Sequence, residues 1–178
     1  MKLNSKKLRT ISPEKALRMS KKIKRADIYL VLENVLDTYN VGGFFRLADA
    51  IGAKKIYLCG ATGTPPDVKI KRSSVGTYKF ILWEHKNTVR EAMEELKKIK
   101  NMKIVAIEQS RASVDYRRFA YQTPLTFVLG NETYGLEKKT QKSVDAVVEI
   151  PMYGINKSLN VMIAAGVVMY YALSEIKK

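Results

Sequence analysis

The chain has 178 residues, a formal net charge of +15 and a sequence pI near 9.8. This length suits one domain with an appendage and is too short for two comfortable hydrophobic cores. So basic a surface favours a phosphate-rich partner through counterion release, which places nucleic acid ahead of anionic lipid.

Residues 1–25 form a basic arm with ten Lys/Arg and one acidic residue, Glu14. Ser12-Pro13-Glu14 is a typical helix start and predicts a short helix over 13–24, with a solvated charged extension as the open alternative. No apolar run of about 7–15 residues follows before Asp27, which argues against a secretory leader and predicts a cytoplasmic protein. We expect an arm over 1–25 and one domain over 26–178.

Six apolar runs without polar alternation predict strands that are covered on both faces, over residues 28–32, 56–59, 80–83, 104–107, 125–129 and 146–150. Helical patterns lie between or after them, at 41–51, 88–99 and 158–176, and the Gly, Thr and Pro cluster at 60–66 predicts a loop. Alternating strands and helices predict an α/β domain with a mostly parallel sheet flanked by helices.

The single Cys59 and the single His85 leave too few ligands for a structural zinc site, and we interpret Cys59 as core and His85 as part of a polar turn. The apolar run at 159–173 is shorter than the roughly 20 residues that cross a bilayer, so it predicts a buried helix. Because that helix is apolar almost all round, we expect a second subunit to cover it, in a homodimer.

The first motif, residues 33–52, runs from a strand through a polar loop into a helix. We interpret Asn40 as the helix cap, and Arg46 as pointing away from the core stripe. That stripe consists of Val41, Phe44, Phe45, Ala48 and Ile51. Gly42 and Gly43 cost about 1 kcal/mol each relative to Ala in a helix, so they indicate the close approach of a backbone, ligand or phosphate. An ion pair between Arg46 and Asp49 is an alternative of similar weight.

The second motif, residues 126–136, runs from a buried strand into Gly130, Asn131 and Glu132. It places polar groups at the carboxyl edge of the sheet, where α/β folds bind ligands. A tight turn with Glu132 at a helix start is the structural alternative. In the third motif, residues 149–172, Ser158 is interpreted as a helix cap, which leaves Asn160 in the first turn.

The three segments N-V-G-x-x-x-R-x-A-D-A-x-G, L-G-N-E-x-x-G-L and I-P-M-x-G-x-x-x-S-L-N-V resemble, in order and spacing, the motifs of the SpoU (TrmH-like) family of SPOUT RNA 2′-O-ribose methyltransferases. The resemblance implies a C-terminal trefoil knot, an exception to the rule that folds are unknotted. It also implies S-adenosylmethionine as methyl donor, transfer or ribosomal RNA as substrate, and no metal.

Carried over residue by residue, the resemblance implies a catalytic group in which Arg46 helps to activate the ribose hydroxyl, together with Asn40, Glu132, Ser158 and Asn160. It implies a cofactor site made of Ile107, Gly130, Ile150, Met152, Ser158 and Leu159. The basic arm occupies the place of the family's RNA-binding domain, and we expect the arm and the dimer surface to hold the RNA. Whether Arg46 serves its own subunit's cofactor or the partner's stays open.

Three other functions are compatible with parts of this pattern. A non-catalytic RNA-binding protein of the same fold would share the charge and the fold. A base-methylating SPOUT enzyme would share the cofactor. A dinucleotide enzyme would explain the strand and helix alternation, but the sequence has no G-x-G-x-x-G after the first strand and no P-loop motif.

Overall fold

The structure is a computed structural model that describes residues 2–177. Its sheet consists of β1 (Ile28–Glu33), β2 (Lys55–Cys59), β3 (Leu82–Lys86), β4 (Lys103–Ile107), β5 (Val114–Asp115), β6 (Leu125–Leu129) and β7 (Ala146–Glu149). The strands are ordered β3-β2-β1-β6-β4-β7-β5 and every neighbouring pair is parallel. This confirms the α/β class and the parallel sheet.

The helices are α1 (Ser5–Thr10), α2 (Pro13–Ser20), α3 (Thr38–Ile51), α4 (Val68–Ser73), α5 (Val89–Leu96), α6 (Lys138–Gln141) and α7 (Val161–Ile176). Two 3₁₀ turns lie at Thr77–Lys79 and Tyr116–Arg118. Apolar residues of α3 and α7 pack on one face of the sheet and those of α5 on the other. The central strands are therefore buried on both faces, which explains their continuous apolar sequences.

Late strands insert between earlier ones in this sheet. The strand β6 lies between β1 and β4, and β7 lies between β4 and β5. Because all strands are parallel, the carboxyl ends of β4, β6 and β7 meet at one edge, and the second and third motifs follow two of those ends directly. The trefoil knot stays a prediction.

The third strand differs from the sequence-based prediction of 80–83. It runs from Leu82 to Lys86, and Phe80 and Ile81 are buried just before it. Charged residues fit in this edge strand because Glu84 pairs with Lys55 at 2.7 Å and Lys86 pairs with Glu95 at 3.0 Å. His85 therefore belongs to a strand and not to a turn, and its Nε2 lies 2.9 Å from the carbonyl oxygen of Gly60.

Both helix caps predicted from the motifs were wrong. Asp37 caps α3 by accepting a hydrogen bond of 2.9 Å from the amide of Tyr39, and Asn40 lies inside the first turn. Asn160 caps α7 by accepting from the amides of Met162 and Ile163, whereas Ser158 lies in the preceding loop. Asp, Asn and Ser cap about equally well, so local preference does not distinguish them.

The basic arm forms two helices and packs on the domain. Ser12 caps α2 by accepting from the amide of Lys15, as predicted, but the helix ends at Ser20 and is preceded by the unpredicted α1. Ala16 is fully buried. After the arm helices, Arg25 donates to Asp49 at 3.1 Å, so the pair of Asp49 with Arg46 that the sequence suggested does not form.

Helix α7 is covered on one side only within this chain. Ala165, Val168 and Ala172 are buried, whereas Ile163, Val167 and Tyr170 are 52%, 40% and 53% exposed. The expectation of cover all round is therefore not met by the chain itself. Among residues 2–177, no helix has both the length and the apolar character to cross a membrane.

Candidate active site

A cavity of about 410 Å³ lies where the carboxyl ends of β4, β6 and β7 meet. This volume falls within the roughly 300–1,000 Å³ typical of small-molecule sites. The strand ends contribute Ile107, Gly130 and Ile150, and the loop before α7 contributes Met152, Ser158 and Leu159. The structure thus gathers in one cavity all six residues that the resemblance implied for the cofactor.

The wall of the cavity requires glycine at position 130. A Cβ at Gly130 would lie 2.4 Å from the amide nitrogen of Leu136, so only glycine lets β6 pass this close to the returning chain. The Glu108 carboxylate fixes that segment by accepting from the amide of Leu136 at 2.8 Å. The end of β4 and the loop after β6 therefore form one continuous wall.

The chemistry of the lining fits a cationic ligand. Glu108, Glu132 and Glu149 line the cavity, and none of the lining residues that the structure describes is Lys or Arg. The strand ends supply apolar surface beside these carboxylates. The methionine sulfur of S-adenosylmethionine carries a positive charge, and its adenine ring is apolar on both faces. This set of residues fits both parts of that molecule.

A chain of side-chain hydrogen bonds joins the three motifs at the cavity mouth. Asn40 donates to Glu132 Oε1 at 3.0 Å, and Asn160 donates to Asn40 Oδ1 at 3.2 Å. Glu132 also accepts from the amides of Leu36 and Asp37, each at 3.2 Å. These contacts fix the extended backbone just before α3, which explains why the helix begins at Thr38.

Asn131 is a positioning residue that the sequence-based list of site residues missed. Its Oδ1 accepts from the amides of Thr133 and Tyr134, at 2.8 and 3.0 Å, and its Nδ2 donates to the carbonyl of Asn34 at 2.8 Å. It thereby ties the loop after β6 to the end of β1. Its place between Gly130 and Glu132 was the available signal.

Arg46 is exposed on α3 and does not line the cavity of its own chain. Among residues 2–177, the structure gives its side chain no ion pair with a carboxylate. A Cβ at Gly43, one turn earlier, would lie 3.0 Å from Met162 of α7, and one at Gly42 would lie 2.8 Å from the carbonyl oxygen of Ile70. The paired glycines therefore allow α4 and α7 to approach α3 closely, and the contact of Gly42 with the Ile70 carbonyl is the close approach of a backbone, one of the three explanations drawn from the sequence.

A larger cavity of about 790 Å³ lies on the α5 side of the sheet and contains none of the predicted site residues. Its buried carboxylate, Glu33, accepts from Thr140 Oγ1 at 2.6 Å and from the amide of Glu137 at 2.9 Å. Burial raises the pKa of Glu33 above its ordinary value. Because these partners already satisfy Glu33, we interpret it as structural, and we assign the active site to the smaller cavity.

Residues 27–170 match the model of the SpoU rRNA Methylase family. A tRNA (guanosine(18)-2′-O)-methyltransferase of Aquifex aeolicus is 30% identical over 158 residues, which cover 89% of this chain and 74% of that protein. The crystal structure of the A. aeolicus TrmH/SpoU tRNA modifying enzyme superposes with a TM-score of 0.79 at 28% identity, and covers 93% of this chain and 84% of that one.

The SpoU methyltransferase AviRb from Streptomyces viridochromogenes, in complex with the cofactor AdoMet, superposes with a TM-score of 0.78 at 26% identity. The match covers 86% of this chain but only 59% of that one. The family match, the shared fold and the three motifs that meet at one cavity agree. The chain belongs to the SpoU rRNA methylase family.

Proposed function

We propose that this chain transfers a methyl group from S-adenosylmethionine to a ribose 2′-hydroxyl of transfer or ribosomal RNA. The observation that carries the proposal is the cavity at the carboxyl ends of β4, β6 and β7, which is lined in part by Glu132 and Asn160. Asn40 joins these two residues through hydrogen bonds to both. A cytoplasmic location belongs to the same proposal, because these RNAs are its substrates.

S-adenosylmethionine supplies an electrophilic methyl group on a positively charged sulfur. The residues proposed to hold it are Ile107, Gly130, Ile150, Met152, Ser158 and Leu159, all of which line the cavity. The strand-end residues offer backbone amides and carbonyls to its polar edges and apolar surface to its ring. The carboxylate of Glu149 is held by Ser113 Oγ at 2.7 Å, so this part of the wall is rigid.

The polar residues at the mouth position the acceptor. Methyl transfer is an in-line displacement, so much of the acceleration comes from holding the 2′-oxygen about 3 Å from the methyl carbon. Asn40 is oriented by Glu132 on one side and Asn160 on the other, so its amide has one fixed direction. We propose that this group binds the ribose and excludes mobile water.

We propose that Arg46 orients the ribose hydroxyl and its neighbouring phosphate and stabilises the charge that develops on the 2′-oxygen. A free guanidinium stays protonated, so this role suits it better than that of a general base. A Lys at position 46 keeps the charge but loses the planar fork of donors. We expect Arg46→Lys to retain measurable activity and Arg46→Ala to lose it.

We also propose that the protein is a homodimer in which Arg46 serves the partner's cavity. The exposed apolar residues Ile163, Val167 and Tyr170 form one face of α7, and such a face is stabilised by a second copy. Arg46 does not line its own cavity, and α3 packs against α7. An interface on α7 would bring Arg46 close to the partner.

Subunit mixing tests this arrangement. If Arg46 acts on the partner's cavity, each site takes Arg46 from one subunit and Asn160 from the other. A heterodimer of Arg46→Ala and Asn160→Ala then contains one intact site. Because half of the dimers in a mixture are heterodimers, the mixture should recover about a quarter of wild-type activity. Adding Val167→Glu to both should abolish the recovery and give monomers on size exclusion. No recovery from mixed dimers would mean that Arg46 acts within its own subunit.

The reaction itself is tested with labelled S-adenosylmethionine and total RNA that lacks its modifications, followed by digestion to nucleosides. A labelled 2′-O-methylnucleoside supports the proposal and identifies the nucleotide. A labelled base would identify a base methyltransferase instead. Cofactor-independent RNA binding without any transfer would identify a non-catalytic RNA-binding protein.

A further inference from the structure

A basic hollow of about 390 Å³ lies between the arm and the segment that follows β2. Its lining residues are Arg9, Val68, Lys71, Arg72, Gly76, Tyr78 and Lys79. Four of these seven are cationic, and no carboxylate is among them. The hollow is composite, because one of its cations comes from α1 and the others from α4 and the 3₁₀ turn that follows it.

The walls of this basic hollow are held in place by specific contacts. Lys79 Nζ donates to the carbonyl oxygens of Arg9 at 3.0 Å and of Ile11 at 2.7 Å, which ties the end of α1 to the 3₁₀ turn. Gly76 has a φ of +91°, and a Cβ there would lie 2.5 Å from the carbonyl oxygen of Leu8. The arm is therefore seated on the domain at this point.

Among the described residues 2–177, three of the four cations have no carboxylate partner. Lys79 is engaged by the α1 carbonyls, but within the described residues 2–177 none of Arg9, Lys71 and Arg72 forms an ion pair. Partial burial and the repulsion of Lys71 lower the pKa of Lys79. The cations thus repel one another across the hollow, and a bound anion would remove that repulsion.

The hollow is connected to the active site through α4. Lys69, near the start of α4, places its Nζ 5.7 Å from the ring centroid of Tyr39, which is next to Asn40 in α3. The six residues of α4 span about 9 Å, and its last turn carries Lys71 and Arg72. An extended RNA strand that enters the active site beside Tyr39 can therefore reach the hollow within a few nucleotides.

We infer that this basic hollow binds a backbone phosphate of the RNA, a few nucleotides from the modified ribose, and so fixes the register of the substrate. The inference rests on the proposed function for its ligand, a phosphodiester group. Arg9 and Arg72 would contact the phosphate oxygens through their guanidinium forks and Lys71 as a point charge. Because the hollow includes Arg9, the arm contributes to binding as a docked element.

The test compares K71Q/R72Q with the control K98Q/K100Q, which removes two exposed cations just after α5. Helix α5 packs on the opposite face of the sheet from α3, the helix that α4 contacts. RNA affinity is measured over a range of salt concentrations. We expect K71Q/R72Q to lower affinity about tenfold and to reduce the slope of log affinity against log salt by about one. The control should change the slope by less than half as much.

A second variant, R9Q, removes the side chain with which the arm would contact the same phosphate. If all three side chains bind one phosphate, then combining R9Q with K71Q/R72Q should reduce the slope little further than either change alone. Thermal unfolding of each variant checks that the fold is intact. Inorganic phosphate serves as a competitor, and it should displace less RNA from K71Q/R72Q than from wild type.

A slope for K71Q/R72Q equal to that of the control would overturn the inference. The inference would also be overturned if K71Q/R72Q lost binding of inorganic phosphate but bound RNA as the wild type does. That result would identify the hollow as a site for free phosphate. Methyl transfer is measured separately on the wild type. Failure of transfer with an altered binding slope would reject the proposed reaction and leave the hollow as an RNA site, so the two failures are distinguishable.

Discussion

The side-chain amide of Asn160 donates a hydrogen bond of 3.2 Å to Oδ1 of Asn40, and so joins the start of α7 to the first turn of α3. Asn40 in turn donates to Glu132, which follows β6. Three segments that are far apart in the chain therefore meet through two hydrogen bonds. Because the side chains orient one another, we expect substitutions among them to be non-additive.

Glu132→Gln should lower kcat about 10- to 100-fold. The new NH₂ group would face N–H donors in place of a carboxylate oxygen, and the resulting repulsion would displace the side chain of Asn40. The carboxylate accepts from the amides of Leu36 and Asp37 as well as from Asn40, so the stability cost is about 0.5–1.5 kcal/mol. Glu94→Gln is the matched control, since Glu94 forms an exposed ion pair with Arg90 on the surface of α5. Equal kcat values for the two variants would contradict the proposed role.

Asn160→Asp and Asn160→Ala separate helix capping from positioning. Asp still accepts from the amides of Met162 and Ile163 but cannot donate to Asn40, so we expect near wild-type stability with kcat at least about tenfold lower. Ala loses both functions and should cost about 0.5–2 kcal/mol. Thermal unfolding and single-turnover kinetics measure the two effects.

Thr88→Ala is the control for the loss of a cap, because Thr88 caps α5 by accepting from the amide of Glu91. It should destabilise the protein by a similar amount and leave kcat unchanged. Full activity of Asn160→Asp would show that the bond between Asn160 and Asn40 has no part in catalysis.

Gly130→Ala should weaken S-adenosylmethionine binding at least about tenfold, because the new methyl group would push apart β6 and the segment at Gly135. Calorimetric titration with the cofactor measures the loss. Gly52→Ala is the control, since Gly52 has a φ of +70° with nothing within 4 Å of a new Cβ. It should cost about 1–2 kcal/mol of stability through backbone strain and leave cofactor affinity unchanged.

The protein should lose stability in acid through Glu95. A hydrogen bond from Tyr57 and contacts with Lys86 and Lys55 lower the pKa of Glu95 from 4.5 to about 2. The unfolded chain binds the proton more readily, so this stabilisation is complete above the ordinary glutamate range and is lost as the pH falls toward 2. Urea unfolding at about pH 6 and about pH 3 measures the difference.

In Glu95→Gln, the loss of stability between the two pH values should be smaller than in wild type, because the titrating group is gone. The exposed Glu94→Gln should keep the wild-type difference. If the two variants lose the same stability on acidification, then another carboxylate is responsible.

The sequence alone was sufficient for the α/β class, the parallel sheet and the burial of Cys59. These follow from the spacing of apolar residues, since unbroken runs such as 125–129 are stable only when both faces are covered. The motifs also indicated the family and six of the residues that line the smaller cavity. Residues that directly follow parallel strands share one edge of the sheet whatever the details of the loops.

Only the tertiary structure decided which polar residue caps α3 and α7 and whether Asp49 pairs with Arg25 or with Arg46. Glu132, distant in the chain, accepts from the backbone amide of Asp37, and Asn40 accepts from the side-chain amide of Asn160. These long-range contacts orient Asp37 and Asn160 as caps. Asp49 pairs with Arg25, which leaves Arg46 exposed on α3. The free energies by which these residue types differ as caps or ion-pair partners are smaller than the contribution of one long-range hydrogen bond. Contacts that form on folding therefore determine which residue caps or pairs.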